Sequence, residues 1–282
     1  MNLKDVYLIG KSEMQESGFD NPDFEASLLL SIALGIEKYE IYANPEKDVD
    51  YDNFKEFKMV MERRKNREPI AYIVGEKEFY SRRFVVTPDV LIPRPETEIL
   101  VDKAWKIIEG IDSPKIIEIG TGSGCIALTL GCEFSNSWIL GTDISYDAIK
   151  IARKNAKNLG VDHKILFMCG DMLNFLKGST FDLVISNPPY ISDDEFNRLE
   201  ADVKDFEPKR ALSGGLDGLD CIGEIIYGAK WILVNGGWCI LEIGANQSNE
   251  VTKIFQSAGY SDISITKDLS GIKRVVKAKW IA

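Results

Sequence analysis

Phe181-Asp182-Leu183-Val184-Ile185-Ser186-Asn187-Pro188-Pro189-Tyr190 couples a short apolar run to an abrupt, stiff stop. The run Phe181–Ser186 reads as a buried strand. Two successive prolines end it, since neither offers a backbone N–H, and each fixes its own φ and restricts the residue before it. The result is a rigid mouth at a strand's C-terminal end. It carries an amide side chain (Asn187), the carbonyls of Asn187 and Pro188, and an aromatic ring (Tyr190). Acceptors held beside a ring suit a planar NH2 group. A plain Pro-Pro loop with a packed tyrosine is the alternative, and the upstream sequence decides between them.

Upstream, strand and helix alternate. Lys115–Ile119, Trp138–Thr142, Lys164–Met168 and Phe181–Ser186 read as strands, Cys125–Leu130 and Tyr146–Asn158 as helices. Downstream, Leu219–Leu233 reads as a helix and Trp238–Ile243 as a strand. This alternation predicts a parallel sheet with helices on both faces. Ser261–Thr266 and Arg274–Trp280 then read as two strands around a short turn, so the sheet should end in an antiparallel hairpin.

The first strand runs into Glu118-Ile119-Gly120-Thr121-Gly122-Ser123-Gly124. Its spacing is G-x-G-x-G rather than the G-x-G-x-x-G of the pyrophosphate fingerprint. Asp143 ends the second strand, where a carboxylate can take both ribose hydroxyls. Gly170-Asp171-Met172 ends the third, where a polar acceptor and an apolar side chain can hold an adenine edge and face. Each has a structural alternative: Asp143 as a helix cap, Asp171 as a turn residue. All lie at C-terminal ends of successive strands, where open α/β sheets bind ligands. No P-loop lysine accompanies them, so phosphate transfer is not supported. An adenosine-bearing cofactor without a phosphate cradle points to S-adenosyl-L-methionine.

The 282 residues suit one large or two ordinary domains. Residues 1–75 read as helical, with Asn21-Pro22 as cap and first helical position and Phe54, Phe57, Val60 and Met61 on one face. Residues 76–92 read as a β-hairpin linker, with Phe79-Tyr80 and Phe84-Val85-Val86 flanking a turn at Ser81-Arg82-Arg83. The domain 93–282 follows. Across its start, Leu91–Glu98 is a stiff Pro-Arg-Pro segment opening a helix from Thr97 to about Glu109. The cluster Arg63, Arg64, Lys65 and Arg67 either complements a helix C-terminus or forms a docking patch.

The net charge of −10 argues against a general nucleic-acid binder. Five cysteines without a C-x-x-C, and a single histidine, His163, argue against a zinc site and make a reduced, cytoplasmic protein the natural expectation. No membrane-length apolar run is present.

Asn187-Pro188-Pro189-Tyr190 after this glycine strand resembles the amino-methyltransferases with an Asn/Asp-Pro-Pro-Tyr/Phe motif. Pro69–Gly75, Phe79-Tyr80, Val90–Glu98, Glu207-Pro208, Ala211-Leu212, Gly214-Gly215, Asp217-Gly218-Leu219 and Leu241-Glu242-Ile243-Gly244 narrow the likeness to the release factor glutamine methyltransferase (HemK/PrmC) family. The resemblance covers nearly the whole chain. Ser81 departs from it, standing where glycine is usual, as does Met172, where some members carry tryptophan.

The resemblance implies the fold of a class I SAM-dependent methyltransferase, a mostly parallel seven-stranded sheet with a C-terminal antiparallel hairpin, behind a small helical recognition domain. It implies methylation of the side-chain nitrogen of the glutamine in the Gly-Gly-Gln loop of class 1 peptide chain release factors, with S-adenosyl-L-homocysteine as the other product. It places Glu118, Gly120, Thr121, Gly122, Ser123, Gly124, Asp143, Ile144, Asp171, Met172 and Asn187 at the cofactor. Asn187, Pro188, Pro189, Tyr190 and Arg94 fall on the substrate side, with Asn187, Pro188 and Tyr190 catalytic. Arg94 either holds a loop near the site or pins the segment that carries it. A monomer without direct nucleic-acid or membrane contacts is expected. The rivals are a ribosomal-protein glutamine methyltransferase, an adenine-N6 nucleic-acid methyltransferase, and a non-catalytic adaptor of the translation machinery.

Overall fold

The computed structural model describes residues 1–171, 173, 176 and 178–282. Met172 lies outside the described residues. The chain divides into two compact units, Met1–Val74 and Gly75–Ala282.

The first unit is helical: α1 (Leu3–Glu16), α2 (Pro22–Leu34), α3 (Lys38–Ala43), α4 (Tyr51–Lys65) and α5 (Ile70–Val74). Asn2, Asn21 and Asp50 cap α1, α2 and α4 through their side-chain oxygens, and Gly35 ends α2 in the left-handed region. Leu29, Leu30, Phe57 and Met61 meet in one apolar core. In the basic cluster at the end of α4, Arg64 turns inward while Arg63 stays exposed. The buried Arg64 grips both Glu25 oxygens at 3.0 Å, and Arg64 and Arg67 both lie over the Phe19 ring. Arg63 is forked onto Glu68. These arginines cross-link the bundle.

The second unit opens with the hairpin β1 (Glu76–Phe79) and β2 (Arg82–Val85). Its turn is Tyr80-Ser81, both at positive φ (50° and 57°), and not Ser81-Arg82-Arg83. A two-residue turn in the left-handed region matches strand twist, and it explains why glycine suits position 81. Arg82 and Arg83 belong to the returning strand. The tip docks on α6 (Glu98–Ile108), with Tyr80 N–H on Glu98 and its hydroxyl on Asp102.

Then follow β3 (Lys115–Ile119), α7 (Cys125–Glu133), β4 (Trp138–Asp143), α8 (Tyr146–Asn158), β5 (Ile165–Cys169), β6 (Phe181–Ser186), α9 (Asp193–Asn197) and α10 (Ala201–Lys204). The chain finishes with α11 (Asp220–Ala229), β7 (Leu233–Glu242), α12 (Ser248–Ala258), β8 (Ser261–Lys267) and β9 (Lys273–Lys279). The seven strands run in the order β5-β4-β3-β6-β7-β9-β8. β9 pairs antiparallel with β7 and β8, and the other pairings are parallel, as the sequence leads one to expect.

Most boundaries fall within three residues of the expected ones, and two differ by more. The helix expected over Leu219–Leu233 stops at Ala229, and β7 begins at Leu233 rather than Trp238. Gly236-Gly237 falls between the helix and the strand expected from the sequence. In the fold it is a bulge inside β7, with Gly236 at φ 88° and its N–H on Trp280 O. Helix α12, not among the elements expected above, buries Val251, Phe255 and Ala258 on one face, and Gly259 ends it in the left-handed region.

The strand order reverses between β3 and β6, and the crevice outside their C-terminal ends is where such sheets take ligands. Apolar cores cover both sheet faces, one led by Leu128 and Ile185, the other by Ile226 and Leu241. Among the described residues no helix is long and apolar enough to cross a membrane.

Candidate active site

A cleft of about 490 Å³ opens at that reversal, lined by the glycine loop, the ends of β4 and β6, and a strap running through Pro93 and Arg94. The predicted residues Glu118, Gly120, Thr121, Gly122, Ser123, Asp143, Ile144, Asp171, Asn187, Pro188, Pro189 and Arg94 all line it. Gly124 and Tyr190 do not. Gly124 opens α7 at φ 82°, where a Cβ would sit 2.8 Å from Leu128 and 3.3 Å from Ala152. Its role is close packing of loop on helix.

Glu118, at the end of β3, is buried. Its Oε2 accepts from Thr121 Oγ1 (2.6 Å) and Ala127 N–H (3.0 Å). Burial, with Asp143 adding to it, pushes its carboxyl up to about 8 against those hydrogen bonds. A buried acid beside a cleft is stabilised in its charged form by a cation. Asp143 holds two loops together: Oδ2 accepts from Gly122 N–H (2.9 Å) and Oδ1 from Ser145 N–H (2.8 Å). Helix α8 is capped by Ser145 and not by Asp143. Burial raises Asp143 above the usual aspartate range. Ile144, well exposed, offers an apolar surface at the cleft mouth. A carboxylate that suits an ammonium, a second that suits ribose hydroxyls, and an apolar shelf together fit an adenosyl amino-acid cofactor.

On the other wall stands the Asn187-Pro188-Pro189 lip. Asn187 Nδ2 donates to Thr97 Oγ1 (3.1 Å), and Thr97 donates to Glu242 Oε2 (2.7 Å). The Tyr190 hydroxyl donates to Glu242 Oε1 (3.2 Å). Glu242 ends β7 and is buried. Burial pushes it up to about 7; Thr97, Tyr190 and Arg274 pull it down, and Glu96 raises it. Burial beside this carboxylate raises the Tyr190 phenol, keeping it protonated. The Tyr190 ring packs against the second core.

A clasp holds the lip from behind. Gln247 Nε2 donates to Tyr190 O (2.8 Å), while Gln247 Oε1 takes Gly244 N–H (2.8 Å). Across the clasp the Ile191 N–H donates to Leu212 O and the Ile191 carbonyl accepts from Gly214 N–H, both at 2.9 Å. A Cβ at Gly214 would lie 2.6 Å from Pro189 O, and one at Gly218 (φ 76°) 2.2 Å from Tyr190 O. Only glycine allows these approaches. Glu207, buried, ion-pairs with Arg94 and accepts Ile92 N–H (3.2 Å), tying the strap to the same region.

Thr97, Glu207, Glu242 and Gln247 were not singled out for any role from the sequence. The first three sit inside the stretches that carry the family resemblance, which was the available signal. Gln247 gave none, because its contacts join loops distant in sequence.

Residues 6–75 match a family described as the PrmC N-terminal domain, and residues 96–202 one described as the methyltransferase small domain. A protein of Caulobacter vibrioides named release factor glutamine methyltransferase is 36% identical over 98% of this chain and 96% of its own length. One of the same name from Geobacter sulfurreducens is 36% identical, covering 93% of this chain and 91% of itself. Among solved structures, the hMettl16 catalytic domain in complex with MAT2A 3'UTR hairpin 6 superimposes with a TM-score of 0.59 at 17% identity, over 71% of this chain and 76% of that one. That likeness bears on the fold alone.

Proposed function

The chain belongs to the release factor glutamine methyltransferase family, and from that membership we propose that it transfers a methyl group from S-adenosyl-L-methionine to the side-chain amide nitrogen of the glutamine in the Gly-Gly-Gln loop of class 1 peptide chain release factors. The observation that carries this reading is that the glycine loop and the Asn187–Pro189 lip line one cleft.

When bound, the cofactor supplies a methyl group on a sulfonium and leaves as S-adenosyl-L-homocysteine. Glu118 would hold its ammonium and Asp143 its ribose hydroxyls, while Ile144 and Asp171 would flank the adenine. An amide nitrogen is a weak nucleophile because its lone pair is delocalised, so alignment matters more than a strong base. Asn187 Oδ1 and the Pro188 carbonyl accept the two amide hydrogens, aim the nitrogen, and favour the positive charge that grows on it. Tyr190, whose ring packs on the core and whose hydroxyl is tied to Glu242, braces the lip that meets the carboxamide. Arg94, held on Glu207 with a third of its side chain exposed, meets the substrate loop. The helical unit 1–75 recognises the release factor. The enzyme works in the cytoplasm as a monomer and makes no nucleic-acid contact of its own.

Mass spectrometry of a release factor incubated with enzyme and donor tests this. One methyl group on the loop glutamine is expected. An unmodified glutamine, or salt-sensitive oligonucleotide binding with methylated adenine, would overturn it.

A further inference from the structure

Building on that reading, we propose that Thr97 and Glu242 are positioning residues that decide which end of the Asn187 carboxamide faces the cleft. The two ends of a carboxamide are nearly equal in shape and opposite in hydrogen bonding. Sterics therefore do not choose between them. Only the oxygen end can accept from a substrate NH2 group. The amine end would present donors to donors.

The choice is made by a one-way chain. A threonine hydroxyl has one proton to give. Thr97 spends it on Glu242 Oε2 at 2.7 Å, and once Glu242 is ionised that carboxylate only accepts. Toward Asn187, Thr97 Oγ1 is left with lone pairs, so it takes the amine end at 3.1 Å. Asn187 Oδ1 is thereby turned away from Thr97. The second oxygen of Glu242 takes the Tyr190 hydroxyl at 3.2 Å. One carboxylate thus fixes Asn187 and Tyr190 together. Thr97 is 2% exposed and Glu242 1%, so water does not compete for these bonds. A lip set this way takes donors. It selects glutamine over glutamate, whose carboxylate would face Asn187 Oδ1 as like against like.

The test compares wild type with Thr97→Val, Thr97→Ser and Glu242→Gln. It measures kcat, KM and calorimetric affinity for S-adenosyl-L-homocysteine, and NMR exchange of the Asn187 side-chain amide protons. Valine keeps the shape and removes the hydroxyl, so kcat should fall about tenfold, the worth of one oriented hydrogen bond, with cofactor-product affinity unchanged. Serine restores the hydroxyl and most of kcat. Glutamine at 242 brings a donor, so either Thr97 or Tyr190 must reverse its bond, and kcat falls again. Wild-type kcat should also rise as Glu242 ionises among Thr97, Tyr190, Arg274 and Glu96, and Glu242→Gln should flatten that rise. Exchange of the Asn187 amide protons, slow in wild type, becomes fast in Thr97→Val. Wild-type kcat in both Thr97→Val and Glu242→Gln, or unchanged exchange in Thr97→Val, overturns the proposal. A wild-type enzyme that leaves the glutamine unmodified overturns the functional reading instead, and the exchange measurement still decides this one.

Discussion

Glu118 is the residue whose chemistry most depends on what occupies the cleft. With its carboxyl at about 8 it is largely protonated at neutral pH in the ligand-free protein. The folded value lies above the unfolded one, so its contribution to stability is complete below the unfolded value of 4.5 and is lost as pH rises through about 8. An ammonium set against it reverses the preference and expels the proton. Cofactor binding should therefore release a proton near neutral pH and tighten as pH rises toward 8. Calorimetry in buffers of different ionisation enthalpy reads this directly. Glu118→Gln should weaken binding and abolish the buffer dependence, and a wild-type enthalpy independent of buffer would remove Glu118 from the ammonium site. Asp143→Ala should also weaken binding, since it loses the ribose partner and frees Gly122. An unchanged affinity would take Asp143 out of the site. Asn187→Ala belongs to the chemical step: turnover should drop by about 10² or more, as for other oriented transition-state partners, with cofactor affinity moving far less. Steady-state kinetics with the protein substrate separates the two.

At the scale of elements, the lip is held by a clasp that contributes no group to the reaction. Gly218→Ala sets a Cβ 2.2 Å from Tyr190 O at a φ of 76°. Left-handed backbone alone costs a non-glycine residue about 1–2 kcal/mol, and the contact forces the lip to move. Turnover should fall by an order of magnitude or more, while affinity for S-adenosyl-L-homocysteine stays close to wild type because the glycine loop is held separately. Denaturant melts and single-turnover rates measure both, and wild-type turnover in Gly218→Ala would dissolve the clasp. Gln247→Ala should do the same more mildly. This element also marks what a sequence conceals. The strands β3 to β6 announce themselves, because buried parallel strands are near-continuous apolar runs, and Asn187-Pro188-Pro189 and the glycines at 120, 122 and 124 mark their own turns. Two features did not. Gly236-Gly237 is a bulge that looks like a loop, and the turn at Tyr80-Ser81 uses residues without a glycine signature. Helix α12 is legible, since Val251, Ile254, Phe255 and Ala258 stand at helical spacing before Gly259. The hydrogen bonds that aim Asn187 join positions 97, 187 and 242, and no local pattern links residues so far apart.

For the whole molecule, the decisive fact is that each unit owns its core. The apolar cluster of the first runs from Leu3 to Ile73. The two clusters of the second draw only on residues from Phe79 to Ala278. The hairpin falls with the second, since Phe79 and Phe84 pack in its core and Asn155 of α8 holds both Val85 and the Ser123 carbonyl. The entire cleft is likewise built from residues after Gly75. Such a piece is long enough to bury a self-sufficient core. Residues 75–282 expressed alone should melt cooperatively and bind S-adenosyl-L-homocysteine about as well as the full chain. Turnover on an intact release factor should collapse through a rise in KM, because the proposed recognition helices are gone, while the clasp, the lip and the Thr97–Glu242 chain remain. Calorimetry and kinetics on the truncated chain distinguish the outcomes. A fragment that fails to bind the cofactor product would show that the cleft depends on the first unit. One that methylates the release factor with an unchanged KM would show that residues 1–74 do not select it.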